Sequence, residues 1–286
     1  MFRSTVPIAN IAGVGAGQTT TIDLPTNRRY HALYLEYRES GVMVTKANME
    51  AAILNIRISL NSRVQREYSA AELNVMNAVN GARWVYQNGI IAIFFSEPWR
   101  RSAGGEDALA WSLAGNGVNS FQIEIEVAAG RVSPSFVGRA IVDYAKMPDG
   151  KAFLPLGPIV TTRRRTITVS GTGSRSLIDF PRELGNYNRL HAFEDTAGDI
   201  ASLRVNVNST IVFDRSDALN IAILSNGGFV PQTALFHAVF DDDQRVGDGL
   251  PMRLVDGSLV SELSLEYDMA VASNFVVISE LIGAPS

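Results

Sequence analysis

NIRISLNS at 55–62 is written again, 147 residues later, as SLRVNVNS at 202–209. In the first copy Ile56, Ile58 and Leu60 alternate with Arg57 and Ser59. In the second, Leu203, Val205 and Val207 alternate with Arg204 and Asn206. A period of two puts the apolar row on one face of a strand and the polar row on the other, as in a half-buried strand of a sandwich. Arg57 and Arg204 occupy the same place in the two rows.

Reading outward from this pair, the echo continues in order. IDLP at 22–25 returns as IDFP at 178–181, and each is followed by a polar turn and a mixed aromatic and aliphatic run, TNRRYHALYLEY and RELGNYNRLHAFE. SAAELNVMNAVNG at 69–81 returns as SDALNIAILSNGG at 216–228. Ser69 and Glu72 have the spacing of a capping box, which predicts a short helix. The Asn-Gly steps at 80–81 and 226–227 mark turns able to accept positive φ. IIAIFFSEPWR and LFHAVFDDDQR each lead an apolar strand into a charged loop. SFQIEIEVA at 120–128 matches ELSLEYDMA at 262–270, with Glu124, Glu126, Glu266 and Asp268 on the polar faces. Here the offset has narrowed to 142, so small loop deletions separate the copies.

This ordered series implies duplication. The pattern predicts an all-β fold of two tandem β-sandwiches with short helices in loops. Alternation alone leaves an immunoglobulin-like topology open, and the long loops fit a jelly roll slightly better. Residues 1–20 read as an N-terminal arm, 21–135 as the first jelly roll, and 136–286 as linker strands and the second. Pro and Gly in GRVSPSFVG and KMPDGKAFLPLGP punctuate the junction.

The 286 residues include 25 Lys and Arg against 29 Asp and Glu, a net charge of −4, which speaks against a broad nucleic-acid surface. No specific nucleic-acid partner is expected. With no cysteine, disulfides, thiolate metal sites and cysteine nucleophiles are excluded. The apolar runs, such as GIIAIFF at 89–95, are too short to cross a bilayer, and the opening stretch reads as no signal peptide.

Candidate chemistry is sparse. GVGAGQTTTIDLP lacks the Lys-Ser or Lys-Thr of a phosphate-binding loop and runs into a strand where a helix should start. The loop FDDDQRVGDG offers Asp241, Asp242, Asp243 and Asp248 as candidate ligands of a structural calcium, a hard cation that prefers oxygen. No other cofactor is expected. Glu124 with Glu126, and Glu266 with Asp268, have the i, i+2 spacing of paired carboxylates but also that of a solvated strand face. His31, His191 and His237 are widely separated in sequence, and no serine sits in a nucleophile elbow. Arg163, Arg164 and Arg165 form the sharpest basic cluster, and Trp99 with Arg100 could anchor a protein contact; these five are the candidate interface or anion-contacting residues. No catalytic residues are expected.

The glycine- and threonine-rich start running into TTTIDLPTNRRYHALYLEYRESGV, the NIRISLNSRV strand and HAFEDTAGDIASLRVNVNS together resemble the major capsid protein of membrane-containing, tailless icosahedral bacteriophages of the corticovirus type. The likeness spans most of the chain. It implies a double jelly roll, a homotrimer of pseudo-hexagonal outline, and a shell of such trimers tiled over an internal lipid membrane. It further implies contacts with other virion proteins, peripheral contact with that membrane, synthesis in the host cytoplasm and calcium in the lattice. The protein would then not be an enzyme. Two other readings compete. A carbohydrate-binding or host-attachment module would use Trp84, Tyr86, Trp99 and Trp111 as stacking platforms. A β-sandwich hydrolase would need a concave acidic pocket.

Overall fold

The computed structural model describes residues 3–80, 88–100, 102–144, 146, 147, 150, 152–178, 180–182, 185–242, 244, 245 and 247–285. The chain divides into two units, the first comprising residues 1–77 and 83–161 with the last two residues, the second 78–82 and 162–284.

In the first, the order is β1 (Ser4–Pro7), β2 (Ile11–Ala12), β3 (Thr19–Leu24), β4 (Arg29–Glu39), β5 (Val42–Met43), α1 (Lys46–Ala52), β6 (Ile53–Leu60), β7 (Arg63–Tyr68), α2 (Ala70–Val79), β8 (Ile90–Phe94), α3 (Ala103–Asp107), β9 (Trp111–Ser112), β10 (Phe121–Val127) and β11 (Pro134–Asp143). The second has β12 (Ile159–Thr168), β13 (Gly173–Leu177), β14 (Asn186–Phe193), β15 (Ile200–Val207), β16 (Thr210–Ser216), α4 (Asp217–Asn226), β17 (Leu235–Val239), β18 (Leu263–Met269) and β19 (Asn274–Gly283).

Among the described residues the second unit has eight strands in two sheets, ordered β12-β19-β14-β17 and β13-β18-β15-β16. Counted along the chain, one sheet takes strands one, eight, three and six; the other takes two, seven, four and five. This is the jelly-roll order, in which a long antiparallel hairpin wraps so that its successive rungs alternate between two sheets. In the first unit, leaving out the two-residue strands, β1-β11-β4 with β8 on β4 makes one sheet and β3-β10-β6-β7 the other. The permutation is identical.

Alternation works as expected in the seventh strands. Phe121, Ile123, Ile125 and Val127 are buried, as are Leu263, Leu265, Tyr267 and Met269. The corners repeat too. Asn61 and Ser62 turn β6 into β7 with φ of 48° and 64°, and Asn208 and Ser209 turn β15 into β16 with 47° and 65°. Two residues at positive φ define the hairpin turn that suits the right-handed twist of its strands, with Asn favoured first. Asn61 Oδ1 accepts the N–H groups of Asn119 (2.7 Å) and Ser120 (3.3 Å). Asn208 Oδ1 accepts those of Ser261 (3.0 Å) and Glu262 (3.1 Å). IDLP and IDFP are explained in the same way. Tyr30 Oη donates to Pro25 O at 2.6 Å and Tyr187 Oη to Pro181 O at 2.7 Å, so each proline carbonyl receives a buried tyrosine from the next strand. Burial pushes the Tyr30 hydroxyl up to about 12.

The capping box forms: Glu72 N–H donates to Ser69 Oγ (3.2 Å) and Ser69 N–H to Glu72 Oε2 (2.7 Å). Ser216 caps α4 through the N–H of Leu219.

Two expectations need correction. Residues 1–20 are not a free arm: β1 pairs with β11, and β2 pairs with β3. The glycine-rich stretch is the turn between β2 and β3, with Gly13 and Gly17 both at φ 69°. The first jelly roll also extends past 135, because β11 is its eighth strand. The Asn-Gly step at 226–227 does lead into a turn, in which Gly227 has φ −70° and Gly228 takes the positive value, 85°. Gly81, in the matching step, lies outside the described residues.

Candidate functional site

The candidate residues are mostly drawn into internal pairs. Asp241 is fully buried and faces Arg189, whose Nε and Nη2 each lie 3.4 Å from its carboxylate oxygens. Arg189 Nη1 donates to Asn80 Oδ1 at 2.8 Å and lies 3.7 Å from Glu280. Asp242 accepts from Arg215 Nη2 at 2.7 Å. Asp248 is exposed, and Asp243 lies outside the described residues. The expected calcium ligands therefore do not converge on one point: two of them face separate guanidinium groups. Among the described residues no three His, Asp or Glu side chains are grouped to hold a metal ion.

Arg163, Arg164 and Arg165 lie on β12, the edge strand of its sheet. Strand geometry splits them, with 163 and 165 on one face and 164 on the other, so they do not make one basic patch. Arg163 is half-buried and donates to Thr162 O at 2.8 Å, and burial lowers its pKa. The Arg165 guanidinium sits 5.7 Å from the Phe180 ring centre.

Arg100, expected at a surface contact, is fully buried and bound to Glu97 at 2.6 Å. An arginine can be buried where a carboxylate neutralises it. Trp99 is half-buried with its ring edge-on to Phe94 at 5.4 Å. Trp111 is not a sugar platform: it is fully buried against Phe95 (4.7 Å) and Phe121 (5.6 Å), with the Arg66 guanidinium over its ring at 5.1 Å. Trp84 and Tyr86 lie outside the described residues.

The carboxylate pairs serve the sheet surfaces. Arg57 reaches Glu67 across β6 and β7 at 2.9 Å, and Arg204 reaches Asp214 across β15 and β16 at 3.1 Å. Glu266 lies 3.5 Å from Arg204. A cleft of about 240 Å³ in the second unit, lined by Ile167, Val169, Leu177, Arg175, Tyr267 and Phe275, carries no carboxylate.

The histidines are the feature that sequence spacing hid. His31 on β4 is buried with Nε2 2.9 Å from Asp143 and Nδ1 3.3 Å from Asp107. His191 and His237 are paired across β14 and β17, their Nδ1 atoms 2.7 Å apart and their rings edge to face. One proton must lie between those two nitrogens. His191 Nε2 is 3.6 Å from Glu280. Burial, then His191 and Arg189, hold the His237 pKa well below its ordinary value. Recognising β14 and β17 as third and sixth strands, which are neighbours in a jelly roll, is the signal that would have brought these histidines together.

Two sandwiches of one permutation in a single chain define a double-jelly-roll protein. The comparisons agree. The model of the viral coat protein P2 N-terminal domain matches residues 5–145, and that of the viral coat protein P2 C-terminal domain matches 159–285. The chain belongs to the P2 family of viral coat proteins, through both of its domains. The major capsid protein P2 of Pseudoalteromonas phage PM2 is 22% identical over 286 residues, which cover 99% of this chain and 97% of that one. The crystal structure of P2 from bacteriophage PM2 superposes with a TM-score of 0.82 at 19% identity, covering 100% and 98% of the two chains. The STIV MCP shares the fold at a TM-score of 0.69 and 12% identity, covering 99% and 97%.

Proposed function

We propose that the chain associates as a homotrimer of pseudo-hexagonal outline, and that these trimers tile an icosahedral virion shell over an internal lipid membrane. The observation that carries this reading is the shared strand permutation of the two units. Two equivalent jelly rolls in each of three copies give six similar modules around a threefold axis, within a closed point group. The similarity to a phage major capsid protein over nearly the whole chain supports the shell role. Other virion proteins would meet the trimer at its rims, and the lipid would lie beneath it.

The test is the solution mass of the purified chain by light scattering, with and without calcium. A species near 93 kDa, three times 31.0 kDa, is expected; a monomer in both conditions would contradict the reading. Within this proposal calcium would have to compete with Arg215 for Asp242, because Asp241 is enclosed with Arg189. A trimer whose mass and dissociation ignore calcium would remove the ion from the account.

A further inference from the structure

The two jelly rolls differ at one register position of their second and seventh strands. In the first, Thr20 of β3 stands opposite Ile125 of β10. Both are fully buried, and β2 covers the outer edge of β3. In the second, the same position holds Arg175 of β13 opposite Tyr267 of β18. Among the described residues no strand covers β13, which is the outer strand of its sheet. Directly opposed residues of an antiparallel pair project from the same face, so Arg175 starts from the core side of its strand, as Thr20 does. A long charged side chain rooted there carries its head out to water, and Arg175 is exposed.

Around this pair lies the cleft of about 240 Å³ between β12 and β13. Ile167, Val169, Leu177 and Phe275 give it apolar walls, with buried Tyr267 on its closed side and Arg175 at its mouth. The Tyr267 ring packs on Phe275 with centres 5.0 Å apart. Its Oη is buried and has no hydrogen-bond partner among the described residues. Burial raises the Tyr267 pKa, so the hydroxyl keeps its proton and stands ready to donate. A buried donor left unmade costs free energy, and such a group calls for an explanation. Arg175 is also underused: its hydrogen bond to Thr172 O is 3.5 Å long, for a guanidinium with five N–H donors.

Two donors, no lining carboxylate and an apolar wall specify the ligand. An oxyanion accepts from a guanidinium and a phenol together, and charge makes both bonds stronger. The apolar walls require a hydrocarbon body behind that head. The volume limits its size: a cavity of about 150 Å³ holds benzene, whereas drug-sized ligands take roughly 300–1,000 Å³. A body and head of about ten non-hydrogen atoms lies between these limits. We infer that this cleft of the second jelly roll binds a small apolar carboxylate, its head held by Arg175 and Tyr267 and its hydrocarbon between Val169 and Phe275. The first jelly roll, with Thr20 and Ile125 enclosed at the same position, has no such site. The inference concerns one unit alone and does not depend on how chains associate.

The test is calorimetric titration of the full chain with octanoate, a carboxylate of this size. Saturable binding of one octanoate per chain is expected, with a Kd of about 1 mM or below. No saturable binding up to about 10 mM overturns the inference. Octan-1-ol and acetate, which keep only the body and only the head, should each bind at least tenfold more weakly. Equal binding of octan-1-ol would remove the anion from the site, and equal binding of acetate would remove the apolar walls; either result overturns it. Arg175→Ala, at an exposed head, and Tyr267→Phe, which keeps the ring on Phe275, should each weaken octanoate at least tenfold with an unchanged circular dichroism spectrum. An unchanged Kd in either folded variant overturns the two-donor site. Should Tyr267→Phe fail to fold, Arg175→Ala and the comparison of the three ligands on the wild type still decide it.

Discussion

The first and second jelly rolls are most alike at their corners and least alike at their centres. Asn61 and Asn208 make the same two-residue turn and accept paired backbone N–H groups from the chain entering the seventh strand. Tyr30 and Tyr187 reach the same proline carbonyl, and Arg57 and Arg204 make the same cross-strand ion pair. Inside, His31 lies between two carboxylates, whereas His191 lies against a second imidazole. A corner admits few solutions because backbone donors and positive φ must be satisfied locally. A buried polar group can be satisfied by any partner that long-range packing brings to it, so centres drift while corners persist.

The largest test of this contrast is Arg189→Ala. It leaves Asp241 buried without its guanidinium partner and should destabilise the second jelly roll by about 3–5 kcal/mol, read as an early transition in urea unfolding. The second test is acidification. The folded pKa of His237 is depressed, so the unfolded state takes up a proton first. Its contribution to stability is complete above about pH 6.5 and is lost as pH falls below that value, by up to about 1.4 kcal/mol per pH unit. His237→Gln should flatten this slope in pH-dependent melting, while a slope unchanged by the substitution would assign the sensitivity elsewhere. Third, Asn61→Ala and Asn208→Ala should each cost about 1–2 kcal/mol, because each loses an acceptor and strains a left-handed residue. Similar losses in the two halves would support the equivalence of the corners; one silent substitution would break it. Smallest are Arg57→Ala and Arg204→Ala, exposed pairs whose loss should cost less than about 1 kcal/mol each.

Much of the architecture was legible because β6, β10, β15 and β18 have one face in the core and one in solvent, which writes itself as alternation. The capping box was legible for a similar local reason. β4 and β14 escaped that logic: they are buried on both faces, and their charged and polar residues, Arg189 and His191 among them, have interior partners. A charge in a sequence reads as surface, and Arg100 and Asp241 show how a partner cancels that rule. β1 reads as an arm because four residues, STVP, carry no period, and its pairing with residues 139–142 is set more than 130 positions away. SAAELNVMNAVNG and SDALNIAILSNGG read alike, and neither shows by itself that α4 keeps Leu219 and Ile221 exposed.

The central claim is that one fold is present twice, with the flank of β7 and α2 closed in the first copy and that of β16 and α4 open in the second. Hydrogen exchange on the full chain tests it most directly. The account predicts that amides of Thr210–Asn226 exchange about tenfold faster than those of β7 and α2. Equal exchange in the two flanks would contradict it.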